Sequence, residues 1–311
     1  MGDEHVLEYK KATHTDRKRY LAIVNLTARS GYVARAIDDI KEKLSHLDVT
    51  FEQTQYGGHA VQLSASSAEF DVVISIGGDG TIHEIINGLM RIEQSERPAL
   101  ALLPCGSGND SCRMVGSPLA VDQAIEAITR NKQRAFDIGA CNEIYFVNSF
   151  SVGIDALTTE RTKKLKKETG RSGMLLYGQA LLEIILKHMH PTVLDTVIEG
   201  STERYQVLLC AVTNGQTYGA GFRINPMAKP DDGTLTLSRI DWMTRLRVLL
   251  YLPRLLRATH TTLAQYHWQE ITACTITGTE NELLVAQVDG ELIKERTFEI
   301  EVRPQAIRFV V

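Results

Sequence analysis

Much common chemistry is missing from this sequence. The five cysteines, Cys105, Cys112, Cys141, Cys210 and Cys274, are scattered, odd in number and never in a C-x-x-C pair. That pattern argues against a disulfide framework and the usual zinc sites, and predicts free thiols in a reducing compartment. No apolar run reaches the length that spans a bilayer, and the polar stretch through Tyr20 lacks the apolar core of a signal peptide. The expectation is a cytoplasmic protein whose only membrane contact is peripheral. A basic excess is also absent: 34 Lys and Arg against 38 Asp and Glu leave a formal net charge of −4. Nucleic acid is therefore not an expected partner. Neither internal repeats nor low-complexity segments occur.

What is present is ordinary globular composition, 43% hydrophobic and 23% charged, over 311 residues. That length suits two domains with separate cores. In residues 1–139, apolar runs at 20–25, 49–53, 71–76 and 99–103 alternate with helical patterns at 33–47, 58–66 and 82–92. Ile-, Val- and Leu-rich strands separated by helices predict a doubly wound α/β domain with a parallel sheet. In residues 140–303, strand patterns follow one another at 144–152, 193–199, 206–212, 234–240, 271–277, 283–288 and 297–302. Helical patterns interrupt them at 173–187 and 242–257. This half reads as a β-sandwich-like domain. The closing residues 304–311 carry one more strand pattern, which suits a return to the first domain.

Between the 71–76 strand and the next helix lies Gly77-Gly78-Asp79-Gly80-Thr81. Glycines let a backbone approach a ligand closely, and the helix N-terminus behind them offers free N–H groups and a positive dipole end. At the carboxyl end of a parallel strand such a loop suits a phosphate, though a plain turn capped by Thr81 would look the same. Several competing chemistries fail on the letters. A dinucleotide fingerprint needs a glycine where His83 stands, and no Walker A Gly-Lys-Ser/Thr occurs. His83-Glu84 starts like a zinc-protease helix, but Asn87 occupies the second histidine position. No G-x-S-x-G elbow is present. A second small-residue turn, Pro104-Cys105-Gly106-Ser107-Gly108-Asn109-Asp110, follows the next strand and would line the same crevice.

In this order the motifs resemble the diacylglycerol kinase catalytic-domain family, in particular its soluble bacterial lipid kinase branch, related to diacylglycerol and sphingosine kinases. The resemblance runs through Gly77 to Thr81, Glu84, Asn87-Gly88, Pro104-x-Gly106-Ser107-x-Asn109-Asp110, the 148–153 segment, Pro230-Asp231-Asp232-Gly233 and Asp289-Gly290-Glu291. The first motif alone is shared with NAD kinases. The resemblance implies an α/β nucleotide-binding domain, a β-sandwich-like lipid-substrate domain and an active site in the cleft between them. It implies ATP contacts at Asn25, Thr54, Gly78, Asp79, Gly80, Thr81, Ile82, His83, Glu84 and Ser107. Asp79 and Asp110 would join a polar network around the phosphates. Glu291 would receive the proton of the acceptor hydroxyl, although on its own Asp289-Gly290 reads as a hairpin turn with a solvated glutamate. A Mg²⁺ would be held by Asp232 with Lys229 and Thr234, and another would accompany ATP. The sequence departs from the family where Asn25-Leu26-Thr27-Ala28-Arg29-Ser30-Gly31 replaces Asn-Pro-x-Ser/Ala-Gly, where His83 replaces an asparagine, and where Ser111 replaces an aromatic residue.

Two clusters suit a membrane surface. Arg161, Lys163, Lys164, Lys166, Lys167 and Arg171 precede an apolar helix, and Arg245, Arg247, Arg254 and Arg257 interleave with leucines. Such segments suit an anionic bilayer, and equally a solvated face over a core helix. The expected partners are a lipid alcohol, diacylglycerol first among them, and a membrane touched transiently; a homodimer is left open. The rivals are an NAD kinase-like phosphotransferase and a non-catalytic nucleotide- or lipid-binding module.

Overall fold

The computed structural model describes residues 18–171, 173–219, 221–279 and 283–311. The chain opens with β1 (Arg19–Val24), α1 (Ala28–Leu44), β2 (Asp48–Gln53), α2 (His59–Ala65), β3 (Val72–Gly77), α3 (Asp79–Leu89) and β4 (Ala99–Pro104). The strands pair in parallel in the order β2-β1-β3-β4. Every residue of β3 and β4 is buried, as strands covered on both faces must be. Side chains of one strand alternate between two cores. Leu21 and Ile23 join Ala60, Ile82, Ile85, Ile86 and Leu89 of α2 and α3 on one face. Tyr20, Ala22 and Val24 join Val33, Ile40 and Leu44 of α1 on the other. That second face also takes Ala124, Ile125 and Ile128 of α5 (Val121–Arg130), which follows the short α4 (Asp110–Val115).

The second half begins with β5 (Gln133–Cys141), β6 (Ile144–Phe146) and β7 (Ser149–Gly153). Next come α6 (Ile154–Thr169) and α7 (Met174–Glu183), the latter continued by a π-helical turn at Ile184–His188. β8 (Thr192–Ile198), β9 (Ser201–Thr213), β10 (Leu235–Asp241) and α8 (Arg245–Leu256) lead to β11 (Tyr266–Ile271) and β12 (Ala273–Gly278). β13 (Leu284–Val288), β14 (Glu291–Glu295) and the long β15 (Thr297–Val310) close the chain. These strands are antiparallel around a core that contains Phe146, Phe150 and Phe298. The result is a mixed α/β domain followed by a β-sandwich-like domain.

Two strands run through both halves. β15 pairs with β12 at its start and lies parallel to β4 near its end, through Phe309 and Leu100. β5 accompanies it on either side of an irregularity between Arg303 and Ile307. There the Gln305 N–H donates to the fully buried Asp137 at 2.7 Å. The expected 144–152 strand is instead two strands, because residues 147 and 148 turn aside toward a carboxylate described below. The sequence reading missed α6. Its buried face consists of Asp155, Ala156, Thr158 and Leu165, too polar to show an apolar helical period. Among the described residues no helix is long and apolar enough to cross a membrane.

All five cysteines are free and buried, as expected. Burial pushes Cys105 up to about 11 and Cys112, Cys141 and Cys210 up to about 12. A thiol reagent at neutral pH should therefore titrate none of the five in the native protein and all of them after unfolding. A tighter constraint lies between α2 and α3. A methyl at Gly88 would sit 1.9 Å from Ser64 Oγ and 2.3 Å from the Val61 carbonyl oxygen. Gly88→Ala should lower the urea-denaturation stability by about 1–3 kcal/mol, the usual penalty of overpacking.

Candidate active site

The two glycine turns meet at the carboxyl ends of β3 and β4. A methyl on Gly106 would come within 2.8 Å of Gly78 Cα, and one on Gly78 within 3.2 Å of Gly106 Cα. The backbones approach so closely that a side chain at Gly106 would force a shift, and one at Gly78 would require the turns to part by a few tenths of an ångström. Nothing lies within 4 Å of a methyl built at Gly80, so the first turn of α3 is open on that side. Asp79 reaches across from this turn to the second one. Its carboxylate accepts from the main-chain N–H groups of Asn109 at 2.9 Å and Ser111 at 3.0 Å, and from Ser111 Oγ at 3.0 Å. Asn109 is left-handed, and its Oδ1 accepts from the Gly106 N–H at 2.9 Å. Ser111, one of the departures from the family pattern, thus adds a hydroxyl donor to this carboxylate.

The other expected nucleotide residues flank this pair of turns with different duties. Asn25 Nδ2 donates to Thr81 Oγ1 at 3.1 Å, and Asn25 Oδ1 accepts from the Thr27 N–H and hydroxyl at 3.1 and 2.8 Å. Thr54 donates its N–H to the Val24 carbonyl at 2.9 Å, which ties the end of β2 to β1. Arg29, Ser30 and Gly31 are left-handed in succession, within the loop after β1 where the sequence departs from the family pattern. Glu84 faces away from the turns and accepts from the Gly58 and Ala60 N–H groups at 2.9 and 3.2 Å, capping α2. Ile82 packs in the core, so only its backbone is available to a ligand. Ser107 is exposed at the turn, while Asp110 is buried at the start of α4, with Arg113 Nη1 3.3 Å from its Oδ1.

The opposite wall carries Asp289-Gly290 as a two-residue turn between β13 and β14, both residues at positive φ, as a tight hairpin of this type requires. The Asp289 carboxylate accepts from three successive N–H groups, Val147 at 2.7 Å, Asn148 at 2.9 Å and Ser149 at 3.0 Å. His83 Nδ1 lies 3.5 Å from the same carboxylate, so this second departure meets the opposite wall. Gln287 Oε1 accepts from the Gly290 N–H at 2.7 Å. Its Nε2 donates to Ser149 Oγ, Ser151 Oγ and Asp155 Oδ2 at 3.2, 3.0 and 3.3 Å. Glu291, the next residue after the turn, is 55% exposed at its side chain and accepts from Lys163 Nζ at 2.7 Å.

Between the walls is a cleft of about 300 Å³. Asp79, Ser107, Asp110 and Ser111 line one side; Asn148, Asp155, Tyr177 and Tyr218 line the other, with Lys163 and Lys166 above them on α6. Asp155 accepts from Ser151 and Tyr177 as well as from Gln287. Burial raises its carboxyl pKa, and these three donors pull the other way. Asp155, Tyr177, Tyr218 and Gln287 were missed in the sequence. A glutamine inside the apolar 283–288 run was the one available signal.

The 230–233 turn stands apart. Thr234 donates its N–H and hydroxyl to Asp232 Oδ1 at 3.1 and 2.8 Å, and the Gly233 N–H donates to Asp137 at 2.7 Å. Arg134 pairs with Asp231. None of Lys229, Asp232 and Thr234 lines the cleft, and among the described residues no three His, Cys, Asp or Glu side chains cluster as metal ligands. A carboxylate, a hydroxyl and main-chain carbonyls are nonetheless the hard oxygen donors that Mg²⁺ takes.

Comparison with known proteins agrees with this architecture. Residues 19–141 match the family model of the diacylglycerol kinase catalytic domain, and residues 148–311 match that of the YegS C-terminal NAD kinase beta sandwich-like domain. A protein of Chromohalobacter salexigens named "Probable lipid kinase YegS-like" is 32% identical over 75% of this chain and 74% of its own. A diacylglycerol kinase of Staphylococcus saprophyticus is 30% identical over 88% of this chain and 89% of its own. A crystal structure of a diacylglycerol kinase from Bacillus anthracis superposes with a TM-score of 0.78 at 24% identity, covering 96% of this chain and 98% of the other, and so shares the fold. The match in both halves, in the order that the motifs set out, means that this chain belongs to the diacylglycerol kinase and YegS-like lipid kinase family.

Proposed function

We propose that the protein transfers the γ-phosphate of ATP to a lipid hydroxyl, with diacylglycerol as the first acceptor to test and phosphatidic acid as its product. The observation that carries this reading is the facing of the two touching glycine turns by the Asp289-Gly290-Glu291 hairpin across one cleft. Phosphoryl transfer asks a protein mainly for positioning and charge neutralisation. The uncovered first turn of α3 and the Gly106-Ser107 turn receive the phosphates. Asp79 keeps the two turns in register, and Asp110 adds a carboxylate beside them. The acceptor oxygen attacks the γ-phosphorus, the bond to the β-bridging oxygen breaks, the hydroxyl proton passes to Glu291, and ADP leaves. Lys163, which lines the cleft, pairs with Glu291 and supplies a positive charge there. Mg²⁺ bound with ATP would neutralise phosphate charge, and Asp232, Thr234 and the Lys229 carbonyl would hold another ion away from the cleft.

The reading also needs lipid to reach the cleft. Leu175 of α7 is 91% exposed, and Leu246 and Leu250 of α8 are 68% and 65% exposed. Leu186 of the π-helical turn is exposed too, and α8 packs beside that turn through Ile185 and Val248. Arg245, Arg247, Arg254 and Arg257 are exposed on the same helix as Leu246 and Leu250. Leucines ringed by arginines suit an anionic bilayer. On α6 the picture is mixed: Lys166 and Lys167 are exposed, whereas Arg161 bridges Glu183 and Glu168.

Labelled phosphate from Mg-ATP, offered to a panel of lipids and to NAD, tests the activity. Transfer to a lipid is expected, and transfer to NAD alone would overturn the reading. Glu291→Gln should reduce lipid turnover by about 10²–10⁴-fold, the usual share of a general base, while nucleotide binding persists. Near-normal turnover would remove Glu291 from the role. The double variant Leu246→Glu, Leu250→Glu should lower binding to phosphatidylglycerol-containing vesicles by more than about 10-fold, since a buried leucine side chain contributes ~1.5–3 kcal/mol. Added salt should weaken wild-type binding. Equal binding by the variant, or binding insensitive to salt, would place the contact elsewhere.

A further inference from the structure

The β-sandwich holds a second cavity, of about 380 Å³, that shares no lining residue with the cleft. Strands β8, β9, β10 and β11 line it, and Leu237 joins it to the sandwich core. Glu203 and Tyr205 place it near the start of β9, whereas the end of that strand pairs with β7 at Ser149, beside the cleft.

Arg239 is the anomaly in this cavity. Its side chain is 18% exposed, and its guanidinium carbon lies 3.7 Å from the centre of the Tyr205 ring. The buried Nε makes no hydrogen bond, nor does the rest of the guanidinium among the described residues. Asp241 Oδ1 stands 3.4 Å from Nε without the alignment of a hydrogen bond. The other oxygen of the same carboxylate meets His267 Nε2 at 3.0 Å. An arginine carries five N–H donors, and buried polar groups in native proteins are nearly always paired. Asp241 stands on the Nε side, so the edge with the two Nη groups is left for a partner. That edge is the fork that grips two oxygens of a carboxylate or a phosphate.

A plain anion does not suit the rest of the cavity. Glu199 and Glu203 line it too and are exposed to solvent. With Asp241 they set three carboxylates around one guanidinium. An oxyanion alone would meet Arg239 but be repelled by the glutamates. An ammonium alone would meet the glutamates and leave Arg239 unpaired. A ligand with both charges satisfies both. Glu203 and Tyr205 alternate on one face of β9, about 7 Å apart along the strand, so the two charges it needs are separated by the reach of a small molecule.

We propose that this cavity binds a zwitterion that carries an oxyanion and an ammonium, of the phosphoethanolamine or amino-acid type. Arg239 donates to the oxyanion through its Nη groups, and Glu199 and Glu203 receive the ammonium. The site lies outside the cleft, and its occupancy does not depend on the kinase reading.

Calorimetric titration of the whole chain with four probes tests it: sn-glycero-3-phosphoethanolamine, serine, glycerol 3-phosphate and ethanolamine. One zwitterion should bind about 10- to 100-fold more tightly than either singly functional probe, the usual share of hydrogen bonds to charged groups. The phosphoethanolamine probe in first place would name a lipid headgroup as the source, and serine in first place an amino acid; either supports the site. Arg239→Met should weaken the preferred zwitterion by a similar factor, which separates this cavity from any binding in the cleft. The double variant Glu199→Gln, Glu203→Gln should bring the zwitterion down to the affinity of glycerol 3-phosphate. Both glutamates are exposed, so this variant keeps the test available if Arg239→Met does not fold. No saturable binding by any probe, or equal binding by wild type and Arg239→Met, would overturn the site and leave water as the partner of Arg239. Glycerol 3-phosphate binding as tightly as the zwitterions would overturn the pairing of charges. The titration reads binding without turnover, so a failure of phosphate transfer to lipids would overturn the kinase reading and leave this result standing.

Discussion

A carboxylate removed from water must be met by donors, and the Asp289 side chain is met by three consecutive main-chain N–H groups. Those N–H groups belong to residues 147–149, the point where the chain leaves β6 and enters β7. Their shared acceptor sits at the tip of the β13–β14 hairpin, 140 residues away in sequence for Ser149. One side chain therefore sets where β7 begins relative to the hairpin that leads into Glu291. Gln287 fixes the other side of the same tip through the Gly290 N–H. His83, from α3, brings the first domain to this point. Asp79 repeats the device on the opposite wall, where it collects two N–H groups and a hydroxyl from the neighbouring turn. The cleft is thus bounded by two carboxylate clamps.

These clamps act on a frame that resists relative movement of the two halves. β5 and β15 pair with each other on both sides of the irregularity at 303–307. Rotation of one domain against the other would have to break that ladder or bend it at the irregularity, where buried Asp137 holds both the Gln305 and the Gly233 N–H groups. Breaking such bonds leaves buried donors unpaired, at a cost of about 1–3 kcal/mol each. Adjustment around a ligand is cheaper in side chains such as the half-exposed Lys163 and Glu291.

The parts legible in the sequence were those whose cause is local. β3 and β4 appear as unbroken apolar runs because parallel strands are buried on both faces. The Asp289-Gly290 turn was readable because positive φ at two successive residues favours that dipeptide. What escaped reading depends on distant partners. Nothing near Asp79 announces that its acceptors serve Ser111, and nothing near Glu84 announces that it caps α2. The 144–152 segment has strand-forming residues throughout, yet it divides because Asp289 competes for its N–H groups. α6 hid because its buried positions include Asp155 and Thr158, polar residues that hydrogen bonds make acceptable in a core. Asp155 and Gln287 belong to a network whose members lie on β7, α6, α7 and β13, and no window of sequence contains it.

The same distinction sorts the acidic residues of the family motifs by what their geometry lets them do. Asp79, Glu84 and Asp289 each take at least two donors from backbone that cannot withdraw without local unfolding. A carboxylate so occupied is well suited to hold a loop and poorly suited to receive a substrate proton, because protonation would turn an acceptor toward a donor. Glu291 differs in kind. Its partner Lys163 is an ammonium at the end of a flexible side chain that lines the cleft, and the Glu291 backbone is fixed by the turn before it. A base needs a lone pair that can be uncovered without moving the scaffold, and of these four acidic residues Glu291 is the one that meets that requirement. The clamps and the proposed base are therefore parts of one arrangement: carboxylates buried against N–H groups supply the rigidity that lets an exposed one remain movable.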